Sequence, residues 1–181
     1  LWSSPQLLEG SAKPSGSGIP LMFPFAGRIR GTSFRFQDRE YSLVAGDGLG
    51  NAIHGFVINR PWRVLEQAAD RVRGQFHAAK DDAALLDRWP ADFCITAEHR
   101  LEANRLISEF TIENPDDKPL PFGFGTHGYF RVPLGGKDGE GCVVTVPVGN
   151  GWELENLLPT GKTSSQAIVG QLAAGMKASE M

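Results

Sequence analysis

Apolar and polar residues alternate with a period of two through much of the chain, and three pairs of such runs flank short polar turns. Residues 32–37 (TSFRFQ) place Phe34 and Phe36 on one face, and residues 39–44 (REYSLV) follow after a short turn. The same pattern recurs in residues 62–67 and 71–78 around a turn at 68–71, and in 92–101 and 105–114 around a turn at 102–104. Each pair predicts a β-hairpin, because only an extended strand turns every second side chain to the same face. Residues 114–121 (NPDDKPLP) interrupt the pattern, and residues 122–132 and 142–148 are the next predicted strands. Helix signals are few. Residues 81–89 suggest one short helical turn, and residues 164–180 have spacing compatible with an amphipathic helix weakened by Gly170 and Gly175. Residues 10–20 (GSAKPSGSGIP) read as loop.

Many short strands with Gly and Pro turns predict a mainly β class, as a sandwich or barrel rather than a doubly wound sheet. A length of 181 residues suits one domain over 1–181 that needs no disulfide or metal staple, with residues 163–181 standing apart as a C-terminal segment. A formal charge of -3 lacks the basic excess that nucleic acid demands, so no nucleic-acid partner is expected. No run is long and apolar enough to span a bilayer, so no membrane partner is expected either. Cys94 and Cys142 form no CxxC pair and the N-terminal residues do not have the order of a signal peptide, which predicts reduced thiols and a cytoplasmic location.

Two glycine motifs suggest phosphate binding, and neither has the right surroundings. Residues 123–128 (GFGTHG) match a dinucleotide fingerprint in spacing, yet YFRVP follows where a helix should open. Gly161-Lys162-Thr163 ends like a P-loop, but Asn156 stands where its first glycine belongs, so the segment reads as a surface turn.

The four histidines separate into two kinds. His77 and His99 lie among charged residues in alternating runs and read as exposed polar side chains. His54 and His127 are each followed by glycine and then an aromatic residue. Glycine allows close approach of a ligand, an aromatic ring offers a flat wall, and imidazole exchanges a proton near neutral pH. On residue types alone, structural and site roles for these two remain equally open. No HxH, HExxH or CxxC pattern points to a metal, and no G-x-S-x-G nucleophile elbow is present.

Residues 18–43, 50–64, 122–136 and 152–161, in that order, resemble successive signatures of the aldose 1-epimerase (galactose mutarotase) family. The resemblance implies a galactose-mutarotase-like antiparallel β-sandwich, or supersandwich, incomplete in this chain. It implies no metal or organic cofactor, and a small aldose such as galactose or glucose as partner, interconverted between its α and β anomers. A base removes the C1 hydroxyl proton, an acid protonates the ring oxygen, and the ring opens to an aldehyde. Rotation about C1–C2 and reclosure then give the other anomer.

By the same resemblance His127 and His54 are catalytic. His127 is the general acid, and His54 holds and polarises the sugar near its ring oxygen. Arg28, Asn51 and Phe130 are substrate-binding. The chain departs from the family at Gly27, where an Asn is usual, and at Gly128, where a Pro follows the histidine. The family's general-base glutamate has no counterpart, which predicts a fragment of impaired activity with open sheet edges. Glu153 and Glu155 read as solvated strand charges. Alternative functions are a non-catalytic sugar-binding or regulatory relative, or a hexose-6-phosphate 1-epimerase if Arg28, Arg30 and Arg60 converge on a phosphate. The oligomeric state is left open.

Overall fold

The computed structural model describes residues 1–133 and 141–181. The chain forms two compact units: a larger one of residues 13–15 and 20–127, and a smaller one of residues 1–12, 16–19 and 128–181. The tail of the predicted signature at 134–136 lies outside the described residues.

The larger unit opens with two very short ladders. Strand β1 (Leu21–Met22) pairs with β10 (Gly125–Thr126), and β2 (Arg28–Ile29) with β5 (Ala52–Ile53), both antiparallel. Between them lies the first predicted hairpin, β3 (Ser33–Phe36) with β4 (Arg39–Ser42), in which Phe34 faces Tyr41 and their rings stack at 5.4 Å. The other two predicted hairpins fuse into one antiparallel meander, β6 (Arg63–Gln67), β7 (Arg71–His77), β8 (Cys94–Glu102) and β9 (Arg105–Glu113). Its register lines up Phe76, Ile95 and Ile112 on one face and Arg73, Glu98 and Glu109 on the other. The period of two thus becomes an apolar face and a charged face.

The core of this unit is aromatic. Phe23, Phe76, Phe93 and Ile95 are fully buried. Phe23 meets Phe93 edge-on at 5.1 Å, and Phe93 lies 6.2 Å from Phe76. The predicted helical turn at 81–89 is present as a short α-helix, Ala78–Asp81, followed by a 3-10 helix, Ala83–Asp87. The turn delivers Leu85 and Trp89 to the core.

The predicted strand over 122–132 pairs over only two residues. The backbone amides of Gly123 and His127 do donate to the carbonyls of Pro24 and Pro20, so the segment runs beside residues 20–24. Pro20 and Pro24 have no N–H to return those bonds, and the ladder shrinks to Gly125–Thr126.

In the smaller unit, a helical turn Pro5–Leu8 is capped by the Ser4 side chain. Strand β11 (Val143–Val144) pairs with β14 (Met176–Lys177), so only part of the predicted strand at 142–148 is in a ladder. A hairpin joins β12 (Gly151–Glu155) to β13 (Leu158–Ser164) through Asn156 and Leu157, both at positive φ. Gly161-Lys162-Thr163 therefore belongs to a strand, not to a phosphate loop. The C-terminal helix is confined to Ala167–Ala174, ended by Gly175 at φ +105°, where a Cβ would meet Val143. Among the described residues no helix is long and apolar enough to cross a membrane.

Candidate functional site

Arg28 stands on β2, opposite Ile53 of β5, and His54 follows directly on β5 with its amide donating to Gly27 O at 2.8 Å. The loop that leads from β4 into β5 is tied by Asp47. Its Oδ1 accepts the amides of Leu49 and Asn51 at 2.7 and 2.9 Å. Its Oδ2 accepts Arg28 Nε at 2.9 Å and Asn51 Nδ2 at 2.8 Å. Asn51 Oδ1 in turn accepts the Gly31 amide at 2.9 Å. The Asp47 side chain has no exposed surface. Burial pushes its carboxyl upward, but the hydrogen bonds from Asn51, Leu49 and Arg28 outweigh that and hold it well below the usual carboxylate range.

His54 and Gly55 both take left-handed backbone, at φ +65° and +74°. For histidine this costs roughly 1–2 kcal/mol, a strain that the surrounding structure must sustain. For Gly55 no side chain is tolerable: a Cβ would lie 2.2 Å from the Phe23 carbonyl oxygen. That carbonyl also accepts the Phe56 amide at 2.8 Å, which locks the turn. The imidazole of His54 is half-buried, and its Nδ1 is enclosed with no hydrogen-bond partner among the described residues. Burial, then His127, then Arg28 lower its basicity below the ordinary histidine range.

His127 follows β10, and its backbone amide donates a hydrogen bond to Pro20 O at 2.9 Å. Its exposed ring meets that of His54 edge-on, with centroids 6.0 Å apart. Two histidines 73 positions apart in sequence thus share one site, with Arg28 electrostatically coupled to the first. Asn51 is buried, and its amide is engaged by Gly31 and Asp47. Phe130 belongs to the smaller unit, where it is 65% exposed and lines an open cleft of about 720 Å³ with Trp2 and Arg131.

The sequence pattern of aldose 1-epimerases matches residues 1–171 of this chain. The chain belongs to the aldose 1-epimerase family. Its fold is that of galactose mutarotase-like proteins. The chain is similar to one from Clostridium acetobutylicum, with 24% identity, a TM-score of 0.77, and coverage of 88% of this chain and 49% of that one. It is also similar to the GalM/aldose epimerase homologue from C. elegans, with 21% identity, a TM-score of 0.74, and coverage of 99% and 54%. A galactose mutarotase related enzyme from Lactobacillus acidophilus matches with 20% identity, a TM-score of 0.61, and coverage of 82% and 50%. The chain spans about half the length of these relatives.

The two departures of this aldose 1-epimerase family member have visible settings. Gly27 sits at φ +74° with open space where a side chain would project, a position that asparagine tolerates better than most residues. A Cβ at Gly128 would come within 2.9 Å of the Phe130 ring, so a larger residue there would displace that ring. Arg28 is matched by Asp47, and Arg60 by Asp82 at 2.8 Å, so two of the three arginines considered for a phosphate already have carboxylate partners. Glu153 and Glu155 lie on β12 in the smaller unit. Among the described residues, no group of three or more His, Cys, Asp or Glu side chains could hold a metal ion.

His77 and His99 differ from expectation. The His77 side chain is only 14% exposed and its Nε2 lies 2.7 Å from Asp92 Oδ2. His99 bonds Ser108 Oγ through Nδ1 at 2.8 Å and packs edge-on against Phe110. Alternation assigned each to a strand correctly; His99 lies on the apolar face with Ile95, whereas His77 lies on the charged face with Arg73 and is shielded there by its contact with Asp92. Asp47 was not anticipated either. Its signal lies in GDGLGN, residues 46–51, where an Asp among glycines is positioned to accept backbone amides two and four residues on.

Proposed function

We propose that this site binds an aldohexose such as galactose or glucose, and that in the whole protein it interconverts the two anomers by acid–base ring opening. The observation that carries this reading is the convergence of His54 and His127, with ring centroids 6.0 Å apart and Arg28 acting electrostatically on His54. Imidazole can donate a proton and recover it in the reverse direction, which anomer exchange requires. His127, with the more exposed ring, is assigned the proton transfer to the ring oxygen.

His54 is assigned a different task. Among the described residues its enclosed Nδ1 has no acceptor to receive a proton, and we assign the hydrogen of the neutral ring to Nε2 on that ground. Protonation would force an unsatisfied N–H into that enclosed position, in keeping with the lowered basicity. His54 therefore acts as a fixed neutral donor that polarises the ring oxygen, and Arg28 orients hydroxyls through its terminal nitrogens. Asn51 contributes through its bonds to Asp47 and Gly31 rather than through an open amide.

The base that accepts the C1 hydroxyl proton is not assigned to a residue. Among the described residues, the charges acting on His54 are those of His127 and Arg28, and no carboxylate is among them. This favours a second reading, in which the chain binds sugar without turning it over. Calorimetry with galactose and polarimetry on freshly dissolved α-galactose separate the two. We expect binding, with anomer exchange about 10²- to 10⁴-fold slower than in a full-length family enzyme, since a positioned base contributes that much. His127→Gln should abolish any remaining catalysis while leaving galactose binding measurable. Binding with no rate above buffer in the parent chain would establish the second reading, and absence of galactose binding would overturn both.

A further inference from the structure

The two oxygens of Asp47 do separate jobs. Among the described residues, Oδ1 receives only backbone amides, from Leu49 and Asn51, and so closes the loop between β4 and β5. Among the same residues Oδ2 receives only side chains, Arg28 Nε and Asn51 Nδ2. We propose that Asp47 is a positioning residue for the site, gripping the Arg28 guanidinium by its Nε edge so that Nη1 and Nη2 are presented to the hydroxyls of a bound sugar.

The geometry supports this in three ways. The carboxylate is wholly enclosed, so its bonds to Arg28 and Asn51 are shielded from competing water. Among the described residues, Arg28 has no other hydrogen-bond partner, so its terminal nitrogens keep their donor capacity. The clamp also has a second anchor, because Asn51 bridges Asp47 to the amide of Gly31, two residues beyond β2, the strand that carries Arg28. A loop cap needs only Oδ1. The pairing of Oδ2 with a site arginine adds a function that loop closure alone does not demand. The ligand side of this inference rests on the sugar reading above, whereas the clamp itself does not.

Asp47→Asn separates the two jobs. An amide oxygen can still accept the Leu49 and Asn51 amides, while an NH₂ group would face Arg28 Nε and Asn51 Nδ2, donor against donor. In the full 181-residue chain, Asp47→Asn is expected to weaken galactose binding by about tenfold or more, the effect of losing a charge-assisted hydrogen bond. The NMR titration of the His54 ring should move upward as the guanidinium leaves its neighbourhood. In an Arg28→Met background, the same Asp47→Asn change should leave the His54 titration where Arg28→Met alone puts it. A parent chain measured alongside guards against a variant that does not fold: its Arg28 Nε–H should relax as a rigid group, unlike those of exposed Arg30 and Arg105. Unchanged galactose affinity and an unchanged His54 titration in Asp47→Asn would overturn the proposal. An Arg28 Nε–H as mobile as the exposed ones would also overturn it. If the parent binds no galactose, the sugar reading falls, and the His54 titration with the Arg28 relaxation still accepts or rejects the clamp.

Discussion

Gly55 shows how one backbone position can hold a site together. Its left-handed φ and the 2.2 Å that would separate a Cβ from Phe23 O leave room for hydrogen alone. Gly55→Ala should therefore destabilise the chain by about 3 kcal/mol, read as a lower urea midpoint, and a change below about 0.5 kcal/mol would contradict this account. The glycine after each histidine was visible in the sequence, and so was the aromatic residue that follows. Asp47 was hidden because its importance lies in a contact 19 positions away with Arg28, and no local pattern records that contact. His77 and His99 are less exposed than local polarity suggests for a related reason: His99 lies on the apolar face of the sheet, and His77 is shielded by Asp92, 15 positions away.

At the scale of elements, Trp89 joins parts of the larger unit that are distant in sequence. Its ring lies 4.7 Å from Phe34 on β3, 5.6 Å from Phe25 and 5.7 Å from Phe56, and its indole N–H donates to Pro121 O at 2.9 Å. The short ladders of β1 with β10 and β2 with β5 supply few bonds of their own, so this aromatic packing does much of the holding. Trp89→Ala should cost about 3–5 kcal/mol in a urea titration. The Phe34–Tyr41 hairpin should also lose order in the NMR spectrum, whereas a variant that keeps parent stability would show that the cluster is not the joint. All three predicted hairpins formed because alternation and turn chemistry are local. The strand predicted over 122–132 largely failed because its neighbour contains Pro20 and Pro24, whose missing donors become relevant only once the two segments are side by side.

For the whole molecule, acid should be destabilising in two stages. Folding lowers the basicity of His54 and His99, by burial first in each case. The unfolded chain therefore takes up protons before the folded one, and stability falls as pH drops below the ordinary histidine value of about 6.5. Asp47, Asp81 and Asp116 are held below the usual carboxylate range, their hydrogen bonds outweighing the opposing effect of burial. Their contribution is lost only further down, below about pH 4. Urea midpoints should fall between pH 7.5 and 5.5, and His99→Gln should flatten that slope because the residue has no assigned role at the site. A slope identical to the parent's would mean that His99 does not contribute.

The sequence by itself determined what depends on neighbours along the chain: the β class, the hairpins, the rejected phosphate loops, and the two histidines beside glycines. Only the tertiary structure decided that His54 and His127 meet, that Asn51 faces inward, and that a buried carboxylate holds Arg28. The physical reason is that a hydrogen bond or a ring contact depends on distance in space, and folding sets that distance through packing between segments far apart in the chain.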